Sequence, residues 1–260
     1  MPERVADIHI EKSAGTTMRK GIFEPAFGKS NVLLYHARID RFRRSSDLRG
    51  ERHQTANRIK DILQESPLRP FINKLVLQLR QKERPGDLTW EDIKEIDYRI
   101  IIGHFTADKI AVLPNHFTTV VLREPLERMY SHYLHWQRSN GATDFRTNIP
   151  YSRIAFEQFA MLEPLQNYQS QALADVPLES FDLVGTTERL DLYAQRLMDR
   201  LGLDPAKFNL GCENKASNKP PLPVDVNFEC GFKEFHKKDY ALYEHAVSLE
   251  NQLQSITSWS

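Results

Sequence analysis

Two cysteines, Cys212 and Cys230, are all that 260 residues contain. That is too few for a disulfide framework, and their spacing fits no zinc motif, so both are expected to be reduced, buried thiols. No run approaches 18 consecutive apolar residues, which leaves no membrane span to expect. Charge of one sign is missing as well: 35 Lys and Arg balance 35 Asp and Glu. A protein built to coat nucleic acid needs a strongly positive face, so no nucleic-acid partner is expected. Internal repeats and Gly/Ser linkers are absent. A strand-like segment begins within five residues of the first Met, leaving no room for a leader and implying a cytoplasmic chain.

What is present is a succession of short apolar runs. Residues 5–10, 32–35, 98–102, 117–122 and 181–184 read as strands, and runs such as Ile100-Ile101-Ile102 and Val120-Val121-Leu122 lack polar alternation. Strands covered on both faces of a parallel sheet have that character. Between them lie helical patterns. Pro125 suits a first helical position and is followed by Leu126, Met129, Tyr130, Tyr133 and Leu134 at helical spacing. Leu190, Tyr193, Leu197 and Leu201 form one apolar side, and Leu242, Ala246, Leu249, Leu253 and Ile256 another. Alternating strands and helices predict an α/β protein, one domain over 1–260, with a central parallel sheet flanked by helices. Two stretches differ. Residues 38–60 carry eight Lys and Arg against three acids and predict a solvated helix and loop within a helical, basic insertion at about 37–97; the alternative is a basic wall facing an anionic acceptor. Residues 215–226, rich in Pro and small polar residues, predict an ordered covering loop.

The most informative segment is Ile8-His9-Ile10-Glu11-Lys12-Ser13-Ala14-Gly15-Thr16-Thr17. A strand ends, a small-residue turn follows, and a helix begins near Thr16. Such a turn aims backbone N–H groups and the positive end of a helix at one spot, as phosphate sites do. Gly15 lets backbone approach, the Thr hydroxyls add donors and Lys12 adds charge. An ordinary capped βα turn is the plain alternative. The order is not that of a Walker A loop, because Lys12 precedes the glycine. Gly28-Lys29-Ser30 contains the tripeptide, but Phe23 stands where the earlier glycine belongs. A G-x-G-x-x-G fingerprint is missing too.

This segment resembles the 5′-phosphosulfate loop of sulfotransferases that use 3′-phosphoadenosine 5′-phosphosulfate (PAPS), Pro-Lys-Ser/Thr-Gly/Ala-Gly/Ser-Thr-Ser/Thr after a strand, with Glu11 in place of the proline. A second element, Arg123-Glu124-Pro125-Leu126-Glu127-Arg128-Met129-Tyr130-Ser131-His132-Tyr133, places an arginine at a strand's end, where it can fork onto a phosphate. Helical spacing puts Glu124, Arg128 and Ser131 on one polar stripe. The element resembles the family's 3′-phosphate motif, Arg-x-Pro-x-x-Arg-x-x-Ser-x-Tyr. Weaker likenesses follow at Asn167-x-Gln169-Ser170, Val184-Gly185-x-x-Glu188, Asn214-Lys215-x-Ser217-x-Lys219 and Asp239-x-x-Leu242-Tyr243. They are similar to carbohydrate sulfotransferases related to the uronyl and heparan 2-O-sulfotransferases and their bacterial homologues.

The resemblance implies the P-loop-like sulfotransferase fold and transfer of a sulfuryl group from PAPS to a hydroxyl acceptor, a glycan, with 3′-phosphoadenosine 5′-phosphate (PAP) as product and no metal. It implies that Lys12 with Ser13, Ala14, Gly15, Thr16 and Thr17 holds the 5′-phosphosulfate, and that Arg123 and Ser131 hold the 3′-phosphate. Arg128 then braces the turn, and Lys215, Ser217 and Lys219 close over the nucleotide. For the base, His104 follows a buried strand through Gly103, at the edge where ligands gather in open α/β sheets, and an imidazole titrates in the working range. A Gly-His element carries the catalytic His in the 2-O-sulfotransferases; their further His two positions earlier is Ile102 here. His36, ending another strand, is a candidate for reaching the acceptor. His9 is read as packing in the sheet, and His132 and His135 as helix-surface residues. The rival functions are a PAP- or PAPS-binding module without turnover and a P-loop nucleotide kinase.

Overall fold

The computed structural model describes residues 4–37, 39–47, 86–113, 115–137, 154–208, 220–222 and 224–257. Strands β1 (Arg4–Ile8), β2 (Val32–His36), β3 (Arg41–Arg44), β4 (Ile100–Gly103), β5 (His116–Leu122) and β6 (Leu183–Thr186) form a sheet in the order β3-β2-β4-β1-β5-β6. All neighbouring pairs are parallel except β2 with β3. The molecule is thus an α/β protein. Five of the strands correspond to the predicted runs, with ends that coincide or differ by one or two residues.

The sheet is covered on both sides, which explains its unbroken apolar runs. Val5, Leu34, Ile100 and Val121 meet Met18, Ile22 and Phe23 from the helical run after β1. That run joins α1 (Gly15–Met18), a π-helical turn (Arg19–Phe23) and α2 (Glu24–Phe27). Ala6, Ile8, Leu33 and Ile101 face the other way, toward Phe105, Ala107 and Leu113 of the segment after β4. The chain therefore leaves β1 over one face toward β2, and leaves β4 over the opposite face toward β5. In an open α/β sheet a crevice opens where connections part in this manner, at the carboxyl ends of the two strands. Here that point lies between β1 and β4.

Smaller helices complete the layers in chain order: α3 (Asp92–Glu95), α4 (Pro125–Gln137), α5 (Phe156–Ala160), α6 (Tyr168–Leu173), α7 (Leu190–Leu201), α8 (Val226–Phe235) and α9 (Lys237–Thr257). The apolar side expected of α7 is buried through Tyr193, Leu197 and Leu201, and Gly202 ends the helix in a left-handed conformation, donating from its N–H to the Asp199 carbonyl. Leu126, Met129, Tyr130 and Tyr133 of α4 pack with Phe156, Phe159 and Phe232 in a third cluster beside the sheet.

Three expectations are corrected. Within the stretch read as a solvated helix and loop, residues 41–44 are an antiparallel edge strand. Its charged pattern hides long-range partners: Arg43 forms a buried ion pair with Asp87, and Arg44 donates to the carbonyls of Ser30 and Asp97. Cys230 is exposed rather than buried, because it lies on the outer side of α8; Cys212 is outside the described residues. Arg128 and His132 do not lie on a solvated face of α4. Both are buried: Arg128 lies against Tyr168 of α6, and the His132 ring packs edge-on against Phe159 of the third cluster, with its Nε2 3.9 Å from Glu11 Oε1. Among the described residues, no helix is long and apolar enough to cross a membrane.

Candidate functional site

Register fixes the geometry at the carboxyl edge of the sheet. Ile8 of β1 and Tyr35 of β2 both pair with Gly103 of β4. His9, His36 and His104 each follow one residue later, so three histidines stand along one edge. Gly103 is required there, because a Cβ would sit 2.5 Å from Tyr35 Cβ. From this edge the two expected anion elements are built outward.

After β1 the chain makes a tight turn. The His9 N–H donates to the Gly103 carbonyl and the Ser13 N–H to the Ile10 carbonyl. Lys12 (φ 71°) and Ala14 (φ 64°) are left-handed without being glycine. Each such residue costs on the order of 1 kcal/mol or more, strain that clusters at ligand clamps. Alternating left-handed residues turn successive N–H groups into a concavity for an anion. No side chain caps the start of α1. Ser13 Oγ is buried and has no hydrogen-bond partner among the described residues. A buried hydroxyl left in this state carries a desolvation cost of about 1–3 kcal/mol that a bound oxyanion would offset. Thr17 is buried and Thr16 exposed.

After β5, Arg123 is held at both ends. Its backbone N–H donates to Gln169 Oε1 at 2.9 Å and its carbonyl accepts from Gln169 Nε2 at 2.8 Å. Its guanidinium donates to the Lys12 carbonyl at 3.2 Å and pairs with Glu127 at 3.3 Å. The structure thus brings the two elements into direct contact. Along α4 it is Glu127 that pairs with Arg123. Glu124 precedes the helix and caps it, accepting from the Glu127 N–H. The Arg128 guanidinium lies over the ring of Tyr168, 4.8 Å from its centroid. The turn and α4 meet again where His132 Nε2 lies 3.9 Å from Glu11 Oε1.

The weaker sequence likenesses acquire physical roles. Asp239 accepts from the backbone of Gln169 and from the N–H and hydroxyl of Ser170, while Asn167 Oδ1 accepts from the N–H groups of Lys238 and Asp239. These bonds seat α6, and through Gln169 they seat Arg123. Nothing in local spacing announces Gln169, whose partner is 46 residues away.

His104 is exposed, and its Nδ1 lies 2.6 Å from the His9 carbonyl. A carbonyl only accepts, so Nδ1 carries the proton and Nε2 is the ring's acceptor in the neutral form. His9, expected to pack in the sheet, lies against His104 with ring centroids 4.5 Å apart and the planes tilted by 37°. Burial first, and the neighbouring His104 charge second, hold its pKa well below the ordinary value. A cleft of about 160 Å³ opens beside the pair, lined by His9, His104, Phe105, Thr106, Tyr168 and Gln171 among others. Beneath the turn, Thr119 of β5 donates to Asp7 of β1 at 2.7 Å, and burial raises the Asp7 pKa to about 7.

Other candidates fall elsewhere. Lys215, Ser217 and Lys219 lie outside the described residues. Of the basic stretch, Arg43 pairs with Asp87 and Arg44 with the carbonyls of Ser30 and Asp97, while residues 48–60 lie outside the described residues. Among the described residues no group of three His, Cys, Asp or Glu could hold a metal. Compared with known proteins, the chain matches no family model and no curated sequence.

Proposed function

We propose that this chain is a sulfotransferase that moves the sulfuryl group of PAPS to an acceptor hydroxyl, a glycan by the resemblance of its motifs. The observation that carries the reading is the contact between the two anion elements, Arg123 against the carbonyl of Lys12, around a buried Ser13 hydroxyl that has no partner among the described residues. Two elements of that kind suit a donor with a phosphate at each end. A parallel sheet whose crevice lies between β1 and β4 supports the P-loop-like form of the fold.

In this reading the Ser13–Thr17 backbone and the Ser13 hydroxyl hold the 5′-phosphosulfate, and Arg123 and Ser131 the 3′-phosphate. The acceptor hydroxyl enters from the cleft beside His104, whose Nε2 takes its proton as the acceptor oxygen bonds to sulfur. The bond from sulfur to the bridging phosphate oxygen breaks, and Lys12 neutralises charge on the departing PAP. In-line transfer of a charge-rich group depends on positioning and electrostatics of this sort.

The test is transfer of labelled sulfate from PAPS to a panel of uronic-acid polysaccharides, neutral sugars and small phenols, beside thermal shifts with PAP and with Mg-ATP. PAP should stabilise the protein; at 100 times its Kd the gain is about 2.7 kcal/mol. Stabilisation by Mg-ATP alone overturns the reading in favour of a kinase. Stabilisation by PAP with no transfer to any acceptor reduces it to a binding module.

A further inference from the structure

We infer that His9 is a positioning residue for His104, wedged between the base and the donor turn; this rests on the reading of His104 as the base. Its backbone ties β1 to β4, donating to Gly103 at 2.9 Å, and its carbonyl accepts from His104 Nδ1 at 2.6 Å. Its ring meets the His104 ring on one side, tilted by 37°. On the other side it fills the space above Gly15: a Cβ built there would lie 1.8 Å from His9 Nδ1 and 2.0 Å from Cε1.

This placement does three things. The carbonyl selects the tautomer in which His104 presents Nε2 as acceptor. The wedge carries any displacement of the turn to the base, so donor and base keep one spacing. The His9 ring stays neutral beside a base that becomes charged, because burial, His104, Arg19 and Lys12 all oppose its protonation and only Glu11 favours it. Two adjacent imidazoles then do not share the abstracted proton. Gly15 also gains a second explanation: it houses the His9 ring, whereas sequence alone suggests only room for a phosphate.

The test combines nitrogen NMR of the His104 ring with kinetics of His9→Ala, His9→Phe and Gly15→Ala. In the wild type His104 should be the Nδ1–H tautomer. His9→Ala keeps the main-chain carbonyl and so should keep the tautomer, but without the wedging ring it should lower kcat about 10- to 100-fold and shift the acid limb of the pH profile, with PAP affinity changed less than about threefold. His9→Phe keeps the wedge and should restore most of the rate. Gly15→Ala should be damaging alone but add little to His9→Ala. An Nε2–H tautomer in the wild type overturns the inference, as does His9→Ala with wild-type kcat and pH profile, or a Gly15→Ala cost that is the same in both backgrounds. The titration of the His104 ring followed by the same NMR, compared between the wild type and His9→Ala, needs no turnover; an unchanged titration overturns the inference even in a protein that transfers no sulfate, separately from the reaction.

Discussion

The two turns that meet at the sheet's edge are built on opposite plans. After β5 the polar groups have protein partners: Gln169 takes both the N–H and the carbonyl of Arg123, Glu124 caps α4, and the Glu124 N–H donates to Glu188. After β1 the helix start has no side-chain cap, two residues are strained, and the Ser13 hydroxyl is buried with no partner among the described residues. The first plan holds one guanidinium in place whether or not anything is bound. The second leaves polarity for a ligand to satisfy. A turn of that kind is where chemistry is expected, and its neighbour is where stability is expected.

Four experiments probe that contrast. The largest effect belongs to Lys12→Ala, which should reduce sulfuryl transfer about 10³-fold while leaving the unfolding midpoint unchanged. A large loss of stability instead would make the first turn structural. Next is Asp7, which joins the strands feeding the two turns through Thr119. Its folded pKa of about 7 lies above the ordinary value of 3.8. The folded state therefore holds a proton that the unfolded chain releases, and this contribution falls as pH rises from about 4 to about 7, then levels. At 1.36 kcal/mol per unit the shift amounts to about 4 kcal/mol. Asp7→Asn should accordingly gain stability relative to wild type across that window in denaturant titrations. A constant difference between the two proteins would refute the assignment.

Gln169→Leu tests the second turn. It strands the Arg123 N–H and carbonyl and should cost about 2–3 kcal/mol in urea unfolding. A cost within about 0.5 kcal/mol would mean that Gln169 is not the clamp. The smallest effect is expected from Glu127→Gln, which removes the carboxylate competing for Arg123 at a partly exposed site. PAP should bind about two- to fivefold more tightly in a titration, and weaker binding would assign Glu127 to orienting the guanidinium.

Much of the sheet is legible in the sequence because doubly covered strands announce themselves as apolar runs. β3 is not: Arg41-Phe42-Arg43-Arg44 reads as solvated until Asp87, Ser30 and Asp97 are brought to it by the fold. In the site, Lys12, Arg123 and His104 are each visible as a charged or titratable residue just past a strand. The roles of His9, Gln169 and Glu127 are not, because each is defined by a contact made across the sheet edge or by where α4 starts. His132 reads as a surface residue by its polarity, and the packing of Phe159 and Glu11 around it buries it.

At the antiparallel edge, Phe42 and Leu88 exchange backbone hydrogen bonds at 2.8 and 2.9 Å, and Arg43 grips Asp87 beside them. These contacts form a clasp, with β2 and β4 standing between it and β1. Breaking that clasp would loosen the outer edge of the sheet first, at β2 and His36, and reach β1 only through β4.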